Sequence, residues 1–354
     1  MLRLRLWARL VLSVLVLTTA GCGSFFARRI AQAPNTYPSW LAPEAPVELA
    51  FGAEFLTNFP ARFVMVGPPA ARLCYRVVEP ADYRLDLSST SWLEHGRRHF
   101  KFASDASLPG QPNGWTPAPR GTVVLLHGYG VAQFAMAPWA LRLAQEGWRC
   151  VLVDLRGHGK STGRRIYFGV CEVRDLSQLL DTLTRDGQLA QPLAAIGESY
   201  GAALALRWKT VEPRVSRVVA IAPYAELSEA VLNICHEYAG CLPQAFVKAG
   251  LKQLPSLLRV EPGQLDTVRV LARSPVAALF AVGSEDKITP LADVRKVYRE
   301  AAPGSELVVV PEATHEAVTY FFKNLVPPVL AWLTGKRAEL KSEPGSASQN
   351  ENCR

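Results

Sequence analysis

Three residues far apart in the chain have the chemistry to build one activated nucleophile. Ser199 lies in Gly197-Glu198-Ser199-Tyr200-Gly201, Asp286 in Gly283-Ser284-Glu285-Asp286-Lys287, and His315 in Pro311-Glu312-Ala313-Thr314-His315. A serine hydroxyl is a poor nucleophile until a base takes its proton and a third group orients that base. Histidine suits the first task and a carboxylate the second. Asp286 is the expected orienting acid, although Glu285 adjoins it with the same chemistry, and an aspartate at a turn also caps a following helix. The negative charge that develops on an attacked carbonyl needs N–H donors. One is expected from the backbone of Tyr200, directly after the serine, and the other from Tyr129 in His127-Gly128-Tyr129-Gly130. His127 ends an apolar run and reads as structural.

The elements that must position these groups are legible around them. Leu193–Ile196 is short and apolar, as a buried strand is, and Ala202–Trp208 has helix-forming composition. A strand that turns at once into a helix holds a serine in a strained conformation, exposed at the sheet's edge, and the flanking glycines allow the close approach. Alone, the same five residues also suit an ordinary glycine-rich loop. The surrounding rhythm decides between the two readings. Apolar runs at 122–126, 150–153, 217–221, 276–282 and 307–310 alternate with helical patterns at 138–146, 172–185, 291–300 and 317–333. Continuous apolar strands alternating with helices predict an α/β fold with a mostly parallel central sheet covered on both faces. Asp286 and His315 follow the last two strands. Arg72–Val78 and Arg97–Phe102 are expected to form an antiparallel lead-in to this sheet, and Ser107–Arg120 a proline-rich surface loop. Residues 224–273 are too long for a simple connection and are expected to form a small helical cap before the acid-bearing strand.

The N-terminus reads differently. Arg3, Arg5 and Arg9 precede the apolar run Leu10–Leu17, followed by Thr18-Thr19-Ala20-Gly21-Cys22. A positive flank, a short apolar core and small residues make an export signal. Its end resembles the bacterial lipoprotein signal, in which the cysteine after the small-residue box is lipidated; plain secretion and a single-pass anchor are the alternatives. That resemblance implies residues 1–21 as a signal peptide, lipid on Cys22 and a cell-envelope location. Gly23 is not the aspartate that marks inner-membrane retention among lipoproteins, which points to the outer membrane. Residues 22–46, rich in Pro, Ala and Ser, are expected to form a tether, 47–334 the folded domain, and 335–354 a disordered tail.

Removing residues 1–21 takes away three arginines and no acid, lowering the formal charge from +8 to +5. The cations are scattered without aromatic interleaving, so no nucleic-acid partner is expected. Of the seven cysteines, Cys235 and Cys241 are near enough in sequence to close a small loop in an exported protein, and Cys150 reads as a buried thiol. No metal-ligand spacing is present, and neither metal nor organic cofactor is expected.

With these residues in hand, the chain resembles the serine α/β-hydrolases, specifically the monoacylglycerol-lipase and lysophospholipase-like branch, of the serine aminopeptidase S33 type. The order Ser199, Asp286, His315 is that of α/β-hydrolases. Asp154-Leu155-Arg156-Gly157-His158-Gly159-Lys160-Ser161-Thr162-Gly163 resembles the branch's D-x-RGHG-x-S-x-G loop, and the motifs span Gly121 to His315. In the family that loop shapes the floor of the site, which implies structural roles for Asp154, His158 and Ser161. Glu198 and Tyr200 stand where many lipases of the branch have histidine and methionine. The implied activity is cleavage of carboxylic esters, of small molecules or lipids, through an acyl-enzyme on Ser199. Acyl transfer or peptidase action by the same residues, and a catalytically silent envelope binding protein, are the competing readings.

Overall fold

A computed structural model of the chain describes residues 23–36, 47–50, 53–94, 96–107, 118–238 and 243–336. The signal over 1–21, Cys22, the 37–46 part of the expected tether, Cys241, Cys353 and the tail from 337 onward lie outside the described residues.

In chain order the first element is a helix over residues 23–30, α1. Strands follow: β1 (Val47–Ala50), β2 (Arg62–Val66), β3 (Ala71–Val78), β4 (Arg84–Glu94), β5 (Arg97–Ser107) and β6 (Thr122–Leu126). Then come α2 (Ala137–Gln145), β7 (Arg149–Asp154), α3 (Glu172–Arg185), β8 (Leu193–Glu198), α4 (Tyr200–Val211) and β9 (Val215–Ile221). The chain continues through α5 (Leu227–Tyr238), α6 (Gln244–Leu258), α7 (Thr267–Arg273), β10 (Leu279–Gly283), α8 (Leu291–Arg299), β11 (Glu306–Val310) and α9 (Phe322–Thr334).

Eight strands form one sheet in the order β11-β10-β9-β8-β6-β7-β3-β2. From β6 onward neighbours pair in parallel, and β3 and β2 extend the β7 side antiparallel. The inner strands β6, β7, β8 and β10 are apolar at nearly every position because successive side chains enter two different cores. Val124 and Leu126 pack on one face with residues of α3, α4 and α8, whereas Val123 and Leu125 pack on the other with residues of α2 and α9. The segment between β9 and β10 carries α5, α6 and α7.

Two expectations are corrected. Arg72–Val78 does enter the main sheet antiparallel, as part of β3, but Arg97–Phe102 belongs to a separate three-stranded sheet, ordered β1-β5-β4. The reason lies in what its apolar side chains meet: Phe100 and Phe102 pack on Tyr320 and Phe321, just before α9, and not on the main sheet. The described part of the expected tether is also folded onto the body. Phe26 stacks on Phe246 of α6 with centroids 6.0 Å apart, and Ala27, Ala31 and Ala33 are fully buried. Residues beyond the helix are fastened by Ala33 N–H donating to Arg164 O at 3.2 Å and Asn35 N–H to Gly157 O at 3.1 Å. Alanines there are flat contact points, not flexible spacer. Gly335, at the start of the expected tail, is the left-handed residue that ends α9, with φ 74°.

Candidate active site

The site begins at the junction of β8 and α4, where no linker separates strand from helix. Ser199 has φ 51° and ψ −112°, a conformation that L-residues rarely adopt. It is held by its own N–H, which donates to Ile221 O at 2.8 Å, and by its carbonyl, which accepts from Ala202 and Ala203 N–H at 3.1 Å each. A Cβ on Gly197 would overlap the carbonyl of Gly201, and a Cβ on Gly201 would overlap that of Leu126. Both glycines therefore provide clearance, and the second lets the end of β6 touch the first turn of α4.

The three distant residues meet here. Ser199 Oγ lies 2.9 Å from His315 Nε2, and His315 Nδ1 lies 2.8 Å from Asp286 Oδ2. With Nδ1–H donating to the carboxylate, Nε2 presents its lone pair to the serine hydroxyl, the tautomer a base requires. The Asp286 side chain is fully buried, and its acceptors are used: Oδ1 takes N–H donors from Ile288 at 2.9 Å and Thr289 at 2.7 Å, and Oδ2 lies 2.9 Å from Thr289 Oγ1. The Thr289 hydroxyl is also 3.1 Å from Ala222 O and carries one proton, so it serves one acceptor at a time.

Glu285, the alternative acid, is turned away. Its carboxylate accepts two hydrogen bonds from Arg98 at the end of the β4–β5 hairpin, at 3.0 and 3.2 Å. Thr289 and Arg98 were not among the sequence candidates. Thr289 stands three residues after Asp286, a spacing at which a hydroxyl and carboxylate close a local turn, so it was findable. Arg98 was not, because nothing local marks a pairing across 187 residues.

Glu198 is 8% exposed, and its Oε2 has no hydrogen-bond partner. Burial raises its carboxyl to about 7, opposed by the charge of His315 and assisted by Glu316. For His315, burial pulls the imidazole down, but the charge and hydrogen bond of Asp286, joined by Glu316 and Glu198, outweigh it and raise the ring to about 9.

The oxyanion candidates flank the serine. Tyr200 is the first residue of α4, so its N–H has no acceptor one turn back in the helix. The 127–130 loop lies beside it: a Cβ on Gly128 would sit 3.6 Å from Ser199 Cβ. His127 is buried and structural, with Nδ1–H donating to Gly128 O at 2.8 Å and Nε2 accepting from Leu155 N–H at 3.0 Å. Burial lowers it to about 4, so it stays neutral. The loop after β7 forms the floor: Asp154 accepts from Gln133 and from Lys160 N–H, and Ser161 Oγ donates to Asp154 O. His158 stacks on Tyr200 with centroids 5.9 Å apart. Arg156 fixes this loop by a bidentate pair with Asp175 at 2.7 and 2.8 Å, both side chains 2% exposed.

Ser199 opens onto a cavity of about 490 Å³ whose walls are almost wholly apolar. Tyr129 and Phe168 line it from the loops, Leu227 and Ile234 from α5, and Phe25 and Ile30 from α1. Cys235 is a free thiol on the same wall.

Two outcomes follow from this geometry. Asp286→Asn removes the charge that orients and stabilises the imidazolium and is expected to lower kcat by about 10⁴-fold, whereas Glu285→Gln changes it little; steady-state rates with one ester decide, and the reverse ranking reassigns the acid. Glu198→Gln removes a negative charge that helps hold a proton on His315. The base is active when neutral, so the rising limb of kcat/KM against pH is expected to move to lower pH in this variant. An unmoved limb would separate Glu198 from His315.

The profile of one protein family, described as serine aminopeptidase, S33, matches residues 117–269, which include the β8–α4 turn but end before Asp286 and His315. A monoacylglycerol lipase of Mycolicibacterium smegmatis is 39% identical over 69 residues, 19% of this chain and 23% of that enzyme, so the match spans less than a quarter of the relative's length. Among solved structures, an esterase of Pyrococcus furiosus superposes with a TM-score of 0.58 at 20% identity, covering 81% of this chain and 94% of that one. An esterase of Exiguobacterium antarcticum gives 0.52 at 16% identity over 78% of this chain and all of that one. A hydrolase of Pseudomonas aeruginosa gives 0.51 at 19% identity, over 77% and 98%. In its parallel sheet, in the helical insertion between β9 and β10 and in these likenesses over most of its length, the chain has the α/β-hydrolase fold.

Proposed function

We propose that this protein is a serine hydrolase that cleaves carboxylic esters through an acyl-enzyme on Ser199. The observation that carries the reading is the unbroken relay from Asp286 through His315 to Ser199 Oγ, open to an apolar cavity. Ser199 Oγ attacks the ester carbonyl carbon while its proton passes to His315 Nε2. The carbonyl oxygen takes the charge and accepts hydrogen bonds from the N–H groups of Tyr200 and Tyr129. The ester C–O bond then breaks, and His315 returns the proton to the departing alcohol. Water, deprotonated by the same imidazole, attacks the acyl-enzyme and releases the acid. The cavity volume falls within the roughly 300–1,000 Å³ of small-molecule sites, and its walls suit an acyl chain. Relatives named as esterases and a monoacylglycerol lipase support the reading.

The test is a panel of p-nitrophenyl esters from acetyl to lauroyl, with Ser199→Ala as the blank. We expect kcat/KM to rise with acyl length and the Ser199→Ala variant to lose on the order of 10⁴-fold or more in kcat. No turnover of any ester, together with no fluorophosphonate label on Ser199 in folded protein, overturns the proposal in favour of a silent binding protein.

The N-terminal sequence supports a second part of the proposal: the chain is exported and carried on lipid at Cys22, in the bacterial envelope and by its Gly23 at the outer membrane. Expression with labelled palmitate is expected to label the wild-type chain and leave Cys22→Ala unlabelled; equal labelling of both ends that reading.

A further inference from the structure

Helix α1 lies on the body between two basic segments. On one side is α6: the Gly250 backbone packs on Phe26 and Ala27, and Ser24 Oγ donates to Gln253 Oε1 at 2.8 Å. On the other is the 157–166 loop, joined by the Gln32–Arg165 bridge and by Ile166 N–H donating to Ala31 O at 3.0 Å. Residues 23–36, 158–171 and 244–258 contain no Asp or Glu. They do expose Arg28 on α1, Lys160, Arg164 and Arg165 on the loop, and Lys248 and Lys252 one turn apart on α6. The basic character is local, since α5 in the same cap carries Glu229 and Glu237. In the midst of these cations Phe25 is 65% exposed, and it also lines the cavity that reaches Ser199, so it marks the cavity's mouth.

Three neighbouring segments that expose cations and carry no acid, with an exposed aromatic on the helix between them, are complementary to negatively charged headgroups above an apolar layer. A nucleic acid would use the cations but not the apolar opening among them. We propose that this face docks on an anionic lipid bilayer, with Phe25 in the interface, so that acyl chains pass from the bilayer into the cavity. The passage of acyl chains rests on the ester-hydrolase reading, while the docking does not. Among the described residues no helix is long and apolar enough to cross a membrane, and the contact is with the surface. Because α1 starts directly after Cys22, lipid on that residue would hold the same face against the bilayer.

Flotation of the full chain with vesicles tests the docking without substrate. We compare phosphatidylcholine vesicles with vesicles containing phosphatidylglycerol, using wild type, Lys248→Glu/Lys252→Glu and Arg164→Glu/Arg165→Glu. An N-terminal lipid or signal contributes equally to all three proteins, so differences between them report the face. Each surface cation contributes on the order of fivefold in partitioning to an anionic membrane. Each double variant is therefore expected to lose at least tenfold of the binding to anionic vesicles, with its thermal midpoint and its binding to neutral vesicles unchanged. Rising salt should erase the wild-type preference. Wild type that binds both vesicle types equally, or double variants that both keep the preference, overturns the proposal. Duplex DNA held more tightly than anionic vesicles at equal ionic strength reassigns the face to nucleic acid. Loss of ester turnover in wild type with docking intact counts against the ester-hydrolase reading alone.

Discussion

The close approach of β6, β8 and α4 is the contact on which the site depends. It exists because positions 197 and 201 lack a Cβ, which at either place would overlap a neighbouring carbonyl. Ser199 is left with a backbone conformation costing about 1–3 kcal/mol, tolerated because Ile221, Ala202 and Ala203 hydrogen-bond it from two sides. The same contact puts the end of β6 against the first turn of α4, and the residues after Leu126 then have no course except past the serine. The candidate nucleophile and the candidate oxyanion donors are therefore placed by one structural event. A side chain at position 201 would displace both together.

Asp286 and His315 are brought together by a second fastening. Ser284 N–H donates to Val310 O at 2.9 Å and Glu285 N–H to Ala313 O at 3.0 Å, so the loops after β10 and β11 are bound to each other before either reaches Ser199. Burying the Asp286 carboxylate is tolerable because Ile288 and Thr289 satisfy it. Three carboxylates act on the one imidazole. Asp286 bonds it, and Glu198 and Glu316 act through space. Near neutral pH, Glu198 is poised between charged and neutral forms, and the basicity of His315 follows that state.

Much of this was legible in the sequence, and the reasons differ residue by residue. The parallel strands show as apolar runs because, except in the edge strand β11, both of their faces are buried, and Ser199, Asp286 and His315 show because each follows such a run. Asp286 over Glu285 was a preference that the contact of Asp286 with His315 and the pairing of Glu285 with Arg98 explain, and Arg98 comes from a hairpin whose pairing is non-local. β5 looked like part of the main sheet since alternation of Phe100 and Phe102 reveals a buried face without saying what buries it. Glu198 stood out as unusual beside the serine, but its missing hydrogen-bond partner is a property of the packed site.

Residues 23–36 mislead for a related reason: they open a stretch, 23–46, whose five alanines and four prolines give it the composition of a spacer. In the fold, Ala27 and Ala31, one turn apart, form the flat side of α1 that lies on the body, while Phe26 and Ile30 on the adjoining stripe close the cavity. Small residues are what permit a helix to pack this closely, so the feature that suggests a tether is the one that makes a wall. The apolar cavity is thus completed by α1, far in sequence from the strands that carry the catalytic candidates. Displacing α1 would remove Phe25, Phe26 and Ile30 from the cavity wall, which ties the shape of the site to how the N-terminus is held.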